Sequence, residues 1–225
     1  MLQKKAVVPE MIDMIKELQS DSLFKDHILA GGTALALQLG HRSSTDIDLF
    51  TSNIQKPNEI INYFNKKYIG INIDVADDEY IRIFANNVKI EMIYVNEKIL
   101  EEPKIQEGIK LFGLNDIAAM KLKAITGRTE ARDFIDIAYL LKEISLKNMF
   151  GLYKEKYETI SPLYMKRTLL TKSKIIKDNE WLVGIKMLRH DIEPNDIPGL
   201  IANEIERYNK DINIGKPNVS IYPPA

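Results

Sequence analysis

Residues 45–50, which read TDIDLF, most restrict how this chain can fold. Apolar residues alternate with aspartates there, and successive side chains of a β-strand point to opposite faces of its sheet. Asp46 and Asp48 therefore share one face of the predicted strand. Their Cα atoms lie about 6.6 Å apart in such a strand, so the two carboxylates can bind one or two hard cations such as Mg²⁺. A solvent-exposed strand face explains the same pattern, and it would be the favoured interpretation if the alternation stood alone.

Two adjacent glycines, Gly31 and Gly32, come shortly before this strand. They follow an expected short strand at residues 27–30 and precede a helix that Thr33 can cap and Gly40 can end. Glycine lets a phosphate approach the backbone, and a helix N-terminus offers unpaired N–H groups and the positive end of the helix dipole. A tight turn is the other interpretation. Next to the two aspartates, we favour a phosphate site.

Glu91 is the candidate third acid of the site. The segment YIRIFANNVKIEMIYV predicts two strands joined at Asn86 and Asn87, because asparagine tolerates the positive φ of a tight hairpin turn. An acid flanked by apolar residues near two other acids is costly to bury without a cation. The same hairpin places Arg82 opposite Glu91, so a simple cross-strand ion pair is the alternative. Asp74 is the fallback candidate.

The helical pattern that follows Gly113 carries a lysine where an apolar residue is expected. In LNDIAAMKLKAIT, a rotation of about 100° per residue places Lys121 on the apolar face and Lys123 on the opposite one. A lysine on a buried face needs an anionic partner. Arg128 continues the same face if the helix extends past Gly127.

The next helical segment, EARDFIDIAYLLKEI, holds two acids. Asp133 lies at the edge of its apolar face, where it can serve the site or simply complement the positive end of the helix dipole. By spacing alone, Asp136 is expected in solvent and Arg132 is expected to point away. In the loop before the aspartates, Arg42 is the one residue that we expect to contact a triphosphate.

Composition excludes several function classes. The 225 residues carry 31 Lys and Arg, 32 Asp and Glu and a formal charge of -1, so the chain is not a globally basic nucleic-acid binder. With no cysteine, it has no disulfide, thiolate zinc site or cysteine nucleophile. Neither a secretory signal pattern nor an apolar stretch long enough to span a bilayer is present, so we expect a cytoplasmic protein.

The order of these patterns predicts an α/β half followed by a helical half. Strands and helices alternate through residues 1–112, residues 113–208 are helical, and residues 209–225 lack periodicity and are expected to form an extended tail. The expected fold class is therefore α+β (α/β). The helical half contains basic residues that can contact phosphate or simply lie in solvent: Lys166, Arg167, Lys172, Lys174 and Lys177.

Taken together, these segments resemble a known family. A small-residue pair, a helix, an alternating D-x-D strand and a later lone acid are similar to the nucleotidyltransferase superfamily typified by DNA polymerase beta. More narrowly, GGTALAL, HRSSTDIDLF, KLKAITGR and ARDFIDIAYLL, in this order, resemble the AbiEii/AbiGii toxin family of bacterial toxin–antitoxin systems over about residues 28–141. The resemblance implies a nucleotidyltransferase-type mixed sheet flanked by helices, followed by a C-terminal helical bundle.

Combined with the residue patterns, the resemblance predicts a site that binds Mg²⁺ and an NTP. The predicted metal ligands are Asp46, Asp48 and Glu91. The predicted catalytic set consists of acids and one lysine: Asp46, Asp48, Glu91, Lys121, Asp133 and Asp136. The predicted nucleotide-binding set consists of the glycine motif and nearby cations: Gly31, Gly32, Thr33, Arg42, Lys121 and Arg128. Many superfamily members carry serine at the position of Gly32, so one hydroxyl contact is lost here while the backbone approach is kept.

The predicted function is Mg²⁺-dependent transfer of an NMP from an NTP to an acceptor hydroxyl by the toxin of a type IV-like toxin–antitoxin system. The resemblance implies tRNA as the acceptor and a cognate antitoxin, encoded nearby, as the partner. Three alternatives stay open. They are the same reaction on a small molecule such as an antibiotic, a kinase-like phosphotransfer, and a catalytically silent interaction protein of the same fold.

Overall fold

The alternating aspartates and apolar residues after Thr45 form the second strand, DIDLFT, of a seven-stranded mixed sheet. A computed structural model describes residues 1–158, 161–177 and 182–214, and the elements below are those of these ranges. The strands are β1 (Ile28–Leu29), β2 (Asp46–Thr51), β3 (Asn72–Ala76), β4 (Tyr80–Ala85), β5 (Val88–Tyr94), β6 (Lys104–Gln106) and β7 (Ile109–Leu111). The α-helices are α1 (Pro9–Ser20), α2 (Gly31–Leu39), α3 (Pro57–Lys67), α4 (Leu114–Gly127), α5 (Ala131–Glu143), α6 (Leu146–Tyr157), α7 (Pro162–Lys172) and α8 (Ile197–Ile214).

The strand order β3-β4-β5-β2-β1-β7-β6 places β2 and β5 side by side near the middle of the sheet. These two strands run parallel, and their register sets Asp48 opposite Glu91. The β4–β5 hairpin turns at Asn86 and Asn87, whose φ values of 49° and 62° confirm the predicted tight turn. The acids that the sequence separates by a long interval are therefore neighbours on adjacent strands.

The opposite face of β2 lies in the hydrophobic core. Ile47 and Leu49 are fully buried and belong to the same core cluster as Ile60 and Phe64 of α3. Burial of an apolar side chain of this size contributes roughly 1.5–3 kcal/mol relative to leaving it in water. The predicted one-sided burial of the strand is confirmed, and this burial fixes the face that the aspartates occupy.

Helices α4 and α5 connect the helical half to the sheet half. Strand β7 ends at Leu111 and α4 begins at Leu114, so the change from sheet to helix falls where the sequence predicted it. Helix α2 of the sheet half contacts both α4 and α5. Ser145 and Ser161 cap α6 and α7 by accepting hydrogen bonds from backbone N–H groups. This packing brings charged residues of both halves to one end of α2.

Helix α8 continues into the segment that was expected to be extended. It ends at Ile214, beyond the predicted boundary at residue 208, because residues 209–214 contain neither a glycine nor a proline that would end it earlier. Ile201, Ile205 and Tyr208 recur at helical spacing and bury one face of the helix. The rest of the predicted tail, residues 215–225, lies outside the described residues. Within the described ranges, neither α8 nor any other helix combines the length and the apolar character needed to cross a membrane.

Candidate active site

Asp46 and Asp48 lie side by side on the half-exposed face of β2, as predicted. Within the described part of the chain, Asp48 forms no ion pair, whereas the Asp46 Oδ2 atom lies 3.2 Å from the Lys89 Nζ atom. Burial and the neighbouring Glu91 carboxylate raise the pKa of Asp48 to about 6. Asp48 is thus an acid that is held close to other charges without a cation of its own.

The two glycines of the motif lie directly against the charged groups. Gly31 has a φ of +64°, and a Cβ atom at this position would lie 2.0 Å from the Asp48 Oδ2 atom. A Cβ atom on Gly32 would lie 2.5 Å from the Arg42 Nη2 atom. No side chain caps the N-terminus of α2, which follows Ala30. Its first-turn N–H groups therefore lack a side-chain acceptor, an arrangement that suits a bound anion.

Thr33 has a different role from the predicted one. Helix α2 begins at Gly31, so Thr33 lies inside its first turn and is not the N-cap. Its fully buried hydroxyl donates to the Asp46 carbonyl and lies 2.8 Å from the Ser44 hydroxyl. The side chain thus fixes the start of β2 against α2, and a contact of Thr33 with phosphate stays a prediction.

Glu91 faces the same side of the sheet but is already hydrogen bonded. Its Oε1 atom accepts from the Tyr80 hydroxyl and from Arg82 Nε at 3.1 Å, and its Oε2 atom accepts from Lys89 Nζ at 2.7 Å. Burial would raise the pKa of Glu91, but these three donors lower it to about 2. The cross-strand pair with Arg82, which the hairpin register allowed, is confirmed.

The three predicted metal ligands are not arranged as one ligand set in the structure, and their binding of a metal ion stays a prediction. No group of three or more His, Asp or Glu side chains in the described ranges is arranged to hold a metal ion. Asp46 and Asp48 share a face, while Glu91 is enclosed by its own donors. The fallback acid, Asp74, lies on the edge strand β3 and pairs with Arg82 Nη1 at 2.7 Å, so it is not part of the site.

Lys121 has the anionic partners that its buried position required. It is 5% exposed, and its Nζ atom lies 2.9 Å from Asp133 Oδ1 and 2.6 Å from Asp136 Oδ2. Burial would lower the pKa of Lys121, but the two aspartates raise it. Arg128 follows the last residue of α4 and binds Asp133 through Nε at 2.7 Å and Nη2 at 3.0 Å. Asp133 therefore holds the side chains of Lys121 and Arg128 near the N-terminal end of α2.

Asp136 is fully buried, contrary to the expectation that it lies in solvent. It accepts hydrogen bonds from Arg42 Nε at 2.6 Å and Nη2 at 2.9 Å, and its Oδ1 atom lies 2.8 Å from His41 Nε2. The guanidinium of Arg42 is thus engaged by Asp136 and lies against Gly32, while its contact with a triphosphate stays a prediction. The expectation of a solvent-exposed Asp136 failed because the loop at residues 41–42, which helical spacing ignores, covers this side of α5.

Two further cations at the site were missed. Lys89 lies on the Glu91 face of β5, and strand alternation could have identified it. Arg132 was expected to point away, yet its Nη1 atom lies 3.6 Å from Asp46 Oδ2. Its position depends on how the start of α5 faces β2, which no local pattern reports.

Two cavities that share four lining residues meet at these side chains. The smaller one, about 60 Å³, is polar and the larger one, about 410 Å³, is mainly apolar. The shared residues are Asp48, Glu91, Lys121 and Arg128. The larger cavity is also lined by Gly31, Phe50, Tyr80, Ile93, Ile117, Met120, Lys123, Ala124 and Gly127. Apolar walls beside convergent charges are typical of small-molecule sites, and the volume is in their usual range.

Comparison with known proteins identifies a family and a sequence relative that cover most of this chain. The family model described as nucleotidyl transferase AbiEii toxin, type IV toxin–antitoxin system, matches residues 15–216. An uncharacterized protein of Aquifex aeolicus (strain VF5) is 30% identical over an alignment of 163 positions, and the match covers 67% of this chain and 76% of that protein.

Solved structures from Helicobacter pylori share the fold. A protein proposed to be a nucleotidyltransferase has a TM-score of 0.60 and 19% identity, and the match covers 96% of this chain and 97% of that one. JHP933 has a TM-score of 0.52 and 20% identity, with 91% and 94% covered. At these identities the two structures support a common fold and say nothing about a common substrate.

Proposed function

The chain belongs to the AbiEii nucleotidyl transferase toxin family and is therefore a nucleotidyltransferase. We propose that it transfers an NMP from an NTP to a hydroxyl of RNA, with Mg²⁺ bound by Asp46 and Asp48. One observation carries the proposal. The Asp48 carboxylate has no cation partner in the described ranges, and it lies against Gly31 at the uncapped start of α2. A divalent cation would neutralise the Asp48 carboxylate, and a phosphate would accept hydrogen bonds from the N–H groups at the start of α2.

The residues fit a hard divalent cation. Carboxylate oxygens are the ligands that Mg²⁺ prefers in proteins, and Mg²⁺ is commonly held by one or two carboxylates together with substrate phosphates. Asp46 and Asp48 supply such a pair, and the raised pKa of Asp48 indicates a carboxylate that a nearby positive charge would stabilise. Bound there, the cation would supply Lewis-acid polarisation of a phosphoryl oxygen.

Other residues of the chain act on the nucleotide itself. The backbone of Gly31 and Gly32 permits close approach of phosphate at the helix terminus. Lys121 and Arg128 line both cavities, so their positive charges offset the charge that develops on the departing pyrophosphate. Asp133 keeps the two cations in place through hydrogen bonds on both of its oxygens. Asp133 is thus a positioning residue for them.

We propose a nucleic-acid acceptor, for which tRNA is our first candidate. The family, which is described as a toxin of a type IV toxin–antitoxin system, supports a neutralising antitoxin as partner. Two lysines of the predicted basic cluster on the helical half already have partners within the chain. Lys172 Nζ donates to the backbone carbonyls of Ile125 and Arg128, at 2.7 and 3.1 Å, and Lys166 Nζ donates to Asn209. The side chain of Lys177 lies outside the described residues. Cations at the cavities, Lys123 and Arg132, are better placed to contact an acceptor backbone.

One labelling experiment distinguishes an RNA acceptor from a small-molecule acceptor, and transfer of an NMP from transfer of a phosphate. Purified protein is incubated with Mg²⁺, total bacterial RNA and each NTP labelled at either the α- or the γ-phosphate. We expect α-label in RNA with wild type, no labelling with Asp48→Asn, and unchanged labelling with Asp74→Asn, which alters an acid outside the site. Transfer of γ-label would indicate a phosphotransferase instead. Label that appears only when aminoglycoside-type small molecules are added would indicate a small-molecule acceptor.

A further inference from the structure

Lys89 lies between two acids of the candidate site. In the parallel register of β2 and β5, Lys89 is opposite Asp46 and Glu91 is opposite Asp48. Strand alternation turns all four side chains to the same face of the sheet. The Lys89 Nζ atom lies 2.7 Å from Glu91 Oε2 and 3.2 Å from Asp46 Oδ2. A fixed ammonium group thus bridges one acid from each strand.

The environment of Glu91 leaves little room for a metal ion. Arg82 and Tyr80 bind its Oε1 atom and Lys89 binds its Oε2 atom. A cation that used Glu91 as a ligand would have to displace at least one of these donors. Asp48, in contrast, has no such partner in the described ranges, and Asp46 is shared only with Lys89 and, at 3.6 Å, with Arg132.

We propose that Lys89 acts as the permanent cation of Asp46 and Glu91, so that the site binds a single divalent cation through Asp46 and Asp48 and Glu91 is not a metal ligand. This inference rests on the proposed function, since it concerns the same metal site. Its chemical consequence is that part of the positive charge facing the substrate phosphates is built into strand β5. Lys89 is accordingly a positioning residue for the acids, and it sets how many cations they bind.

The experiment counts bound Mn²⁺ in the nucleotide-free protein by electron paramagnetic resonance, which detects the free ion. We expect wild type to bind one Mn²⁺. Removing an ammonium group about 3 Å from Asp46 makes the site more negative, so Lys89→Met is expected to bind Mn²⁺ at least about tenfold more tightly and to take up a second ion at Glu91. Lys89→Arg is expected to keep one ion. Lys98→Met, which removes a lysine paired with Glu155 away from the site, is the matched control.

The outcomes separate this inference from the function on which it rests. Two ions in wild type, one of which is lost in Glu91→Gln, would overturn the inference and leave a metal-dependent nucleotidyltransferase. Equal affinity and stoichiometry in wild type and Lys89→Met would also overturn it. No bound Mn²⁺ in wild type would overturn both. If Lys89→Met does not fold, Glu91→Gln tests the inference in its place. We expect this variant to bind one Mn²⁺ ion, as wild type does, because Glu91 is not a ligand.

Discussion

Arg42 and Asp136 form a bidentate ion pair in the interior, with Nε–Oδ1 and Nη2–Oδ2 distances of 2.6 and 2.9 Å and side chains that are 4% and 0% exposed. Arg42 belongs to the loop between α2 and β2, and Asp136 belongs to α5. The pair therefore connects the glycine motif and the D-x-D strand to the helical half. Lys121 of α4 shares the same carboxylate, so one buried acid fixes the relative position of three segments.

The first prediction follows from this shared acid. Asp136→Asn removes the negative charge that Arg42 and Lys121 share in the interior. Breaking a buried ion pair in this way typically costs about 3–5 kcal/mol. We expect a decrease of that order in the free energy of unfolding, measured by urea denaturation. Asp191→Asn is the control, because Asp191 is an exposed acid that pairs with Arg189 and Lys142 and its loss should cost less than about 1 kcal/mol. Equal losses in the two variants would contradict the central role of Asp136.

The second prediction concerns the glycine that touches Asp48. Gly31→Ala adds a Cβ atom 2.0 Å from Asp48 Oδ2 and places alanine at a φ of +64°. The carboxylate must move, and the backbone conformation alone costs roughly 1–2 kcal/mol. We therefore expect loss of Mn²⁺ binding by calorimetry together with a lower free energy of unfolding.

The matched control for that substitution is Gly151→Ala in α6, where no atom would lie within 4 Å of the added Cβ. Alanine favours a helix over glycine by about 0.8–1 kcal/mol, so this variant is expected to be slightly more stable and to bind Mn²⁺ normally. If Gly31→Ala binds the ion as wild type does, Asp48 does not hold it.

The third prediction isolates a cation that can be removed without unfolding the site. The Arg128 side chain is 56% exposed and Asp133 keeps Lys121 as a partner when Arg128 is absent. For Arg128→Ala we expect the KM for NTP to rise about tenfold, as for loss of one charge-assisted contact of about 1.5 kcal/mol. The unfolding temperature should fall less than in Asp136→Asn, because Asp133 keeps Lys121. Arg207→Ala, on the exposed surface of α8, should alter neither quantity. An unchanged KM would place the phosphates away from Arg128.

Features that depend on local geometry could be predicted from the sequence. Strand alternation correctly placed Asp46 and Asp48 on one face, because the pleated backbone of a strand turns successive side chains to opposite faces. Asparagine's tolerance of positive φ located the hairpin turn. The position of Lys121 on the apolar face of α4 correctly predicted an anionic partner, although it did not identify which acids serve.

Features that depend on pairing between distant segments could not be predicted. The contact of Lys89 with Asp46 requires β2 and β5 to be adjacent and parallel, and α3 and two further strands separate them in the chain. Asp136 is spaced as a solvent-exposed helix position, but the loop that carries Arg42 covers it. A helical wheel reports which side of a helix a residue occupies, and it does not report what covers that side.

The last prediction uses the pKa of Asp48, which burial and Glu91 raise to about 6. An ordinary aspartate in the unfolded chain titrates near 3.9. Between these two values the folded state holds a proton that the unfolded state has lost, so the free energy of unfolding falls as pH rises from about 4 to 6 and stays lower above that. The metal-free protein thus carries an unfavourable negative charge at neutral pH.

Asp48→Asn removes that charge. In EDTA we expect the variant to unfold at a higher temperature than wild type at pH 8, by an amount that corresponds to about 1–3 kcal/mol, and the difference to shrink towards zero at pH 4. Addition of Mg²⁺ at pH 8 should raise the unfolding temperature of wild type, because a ligand that binds only the folded state stabilises it, and should leave the variant unchanged. A pH-independent difference between the two proteins would mean that Asp48 is not held as a strained carboxylate. A Mg²⁺ response in the variant equal to that of wild type would mean that the ion binds elsewhere.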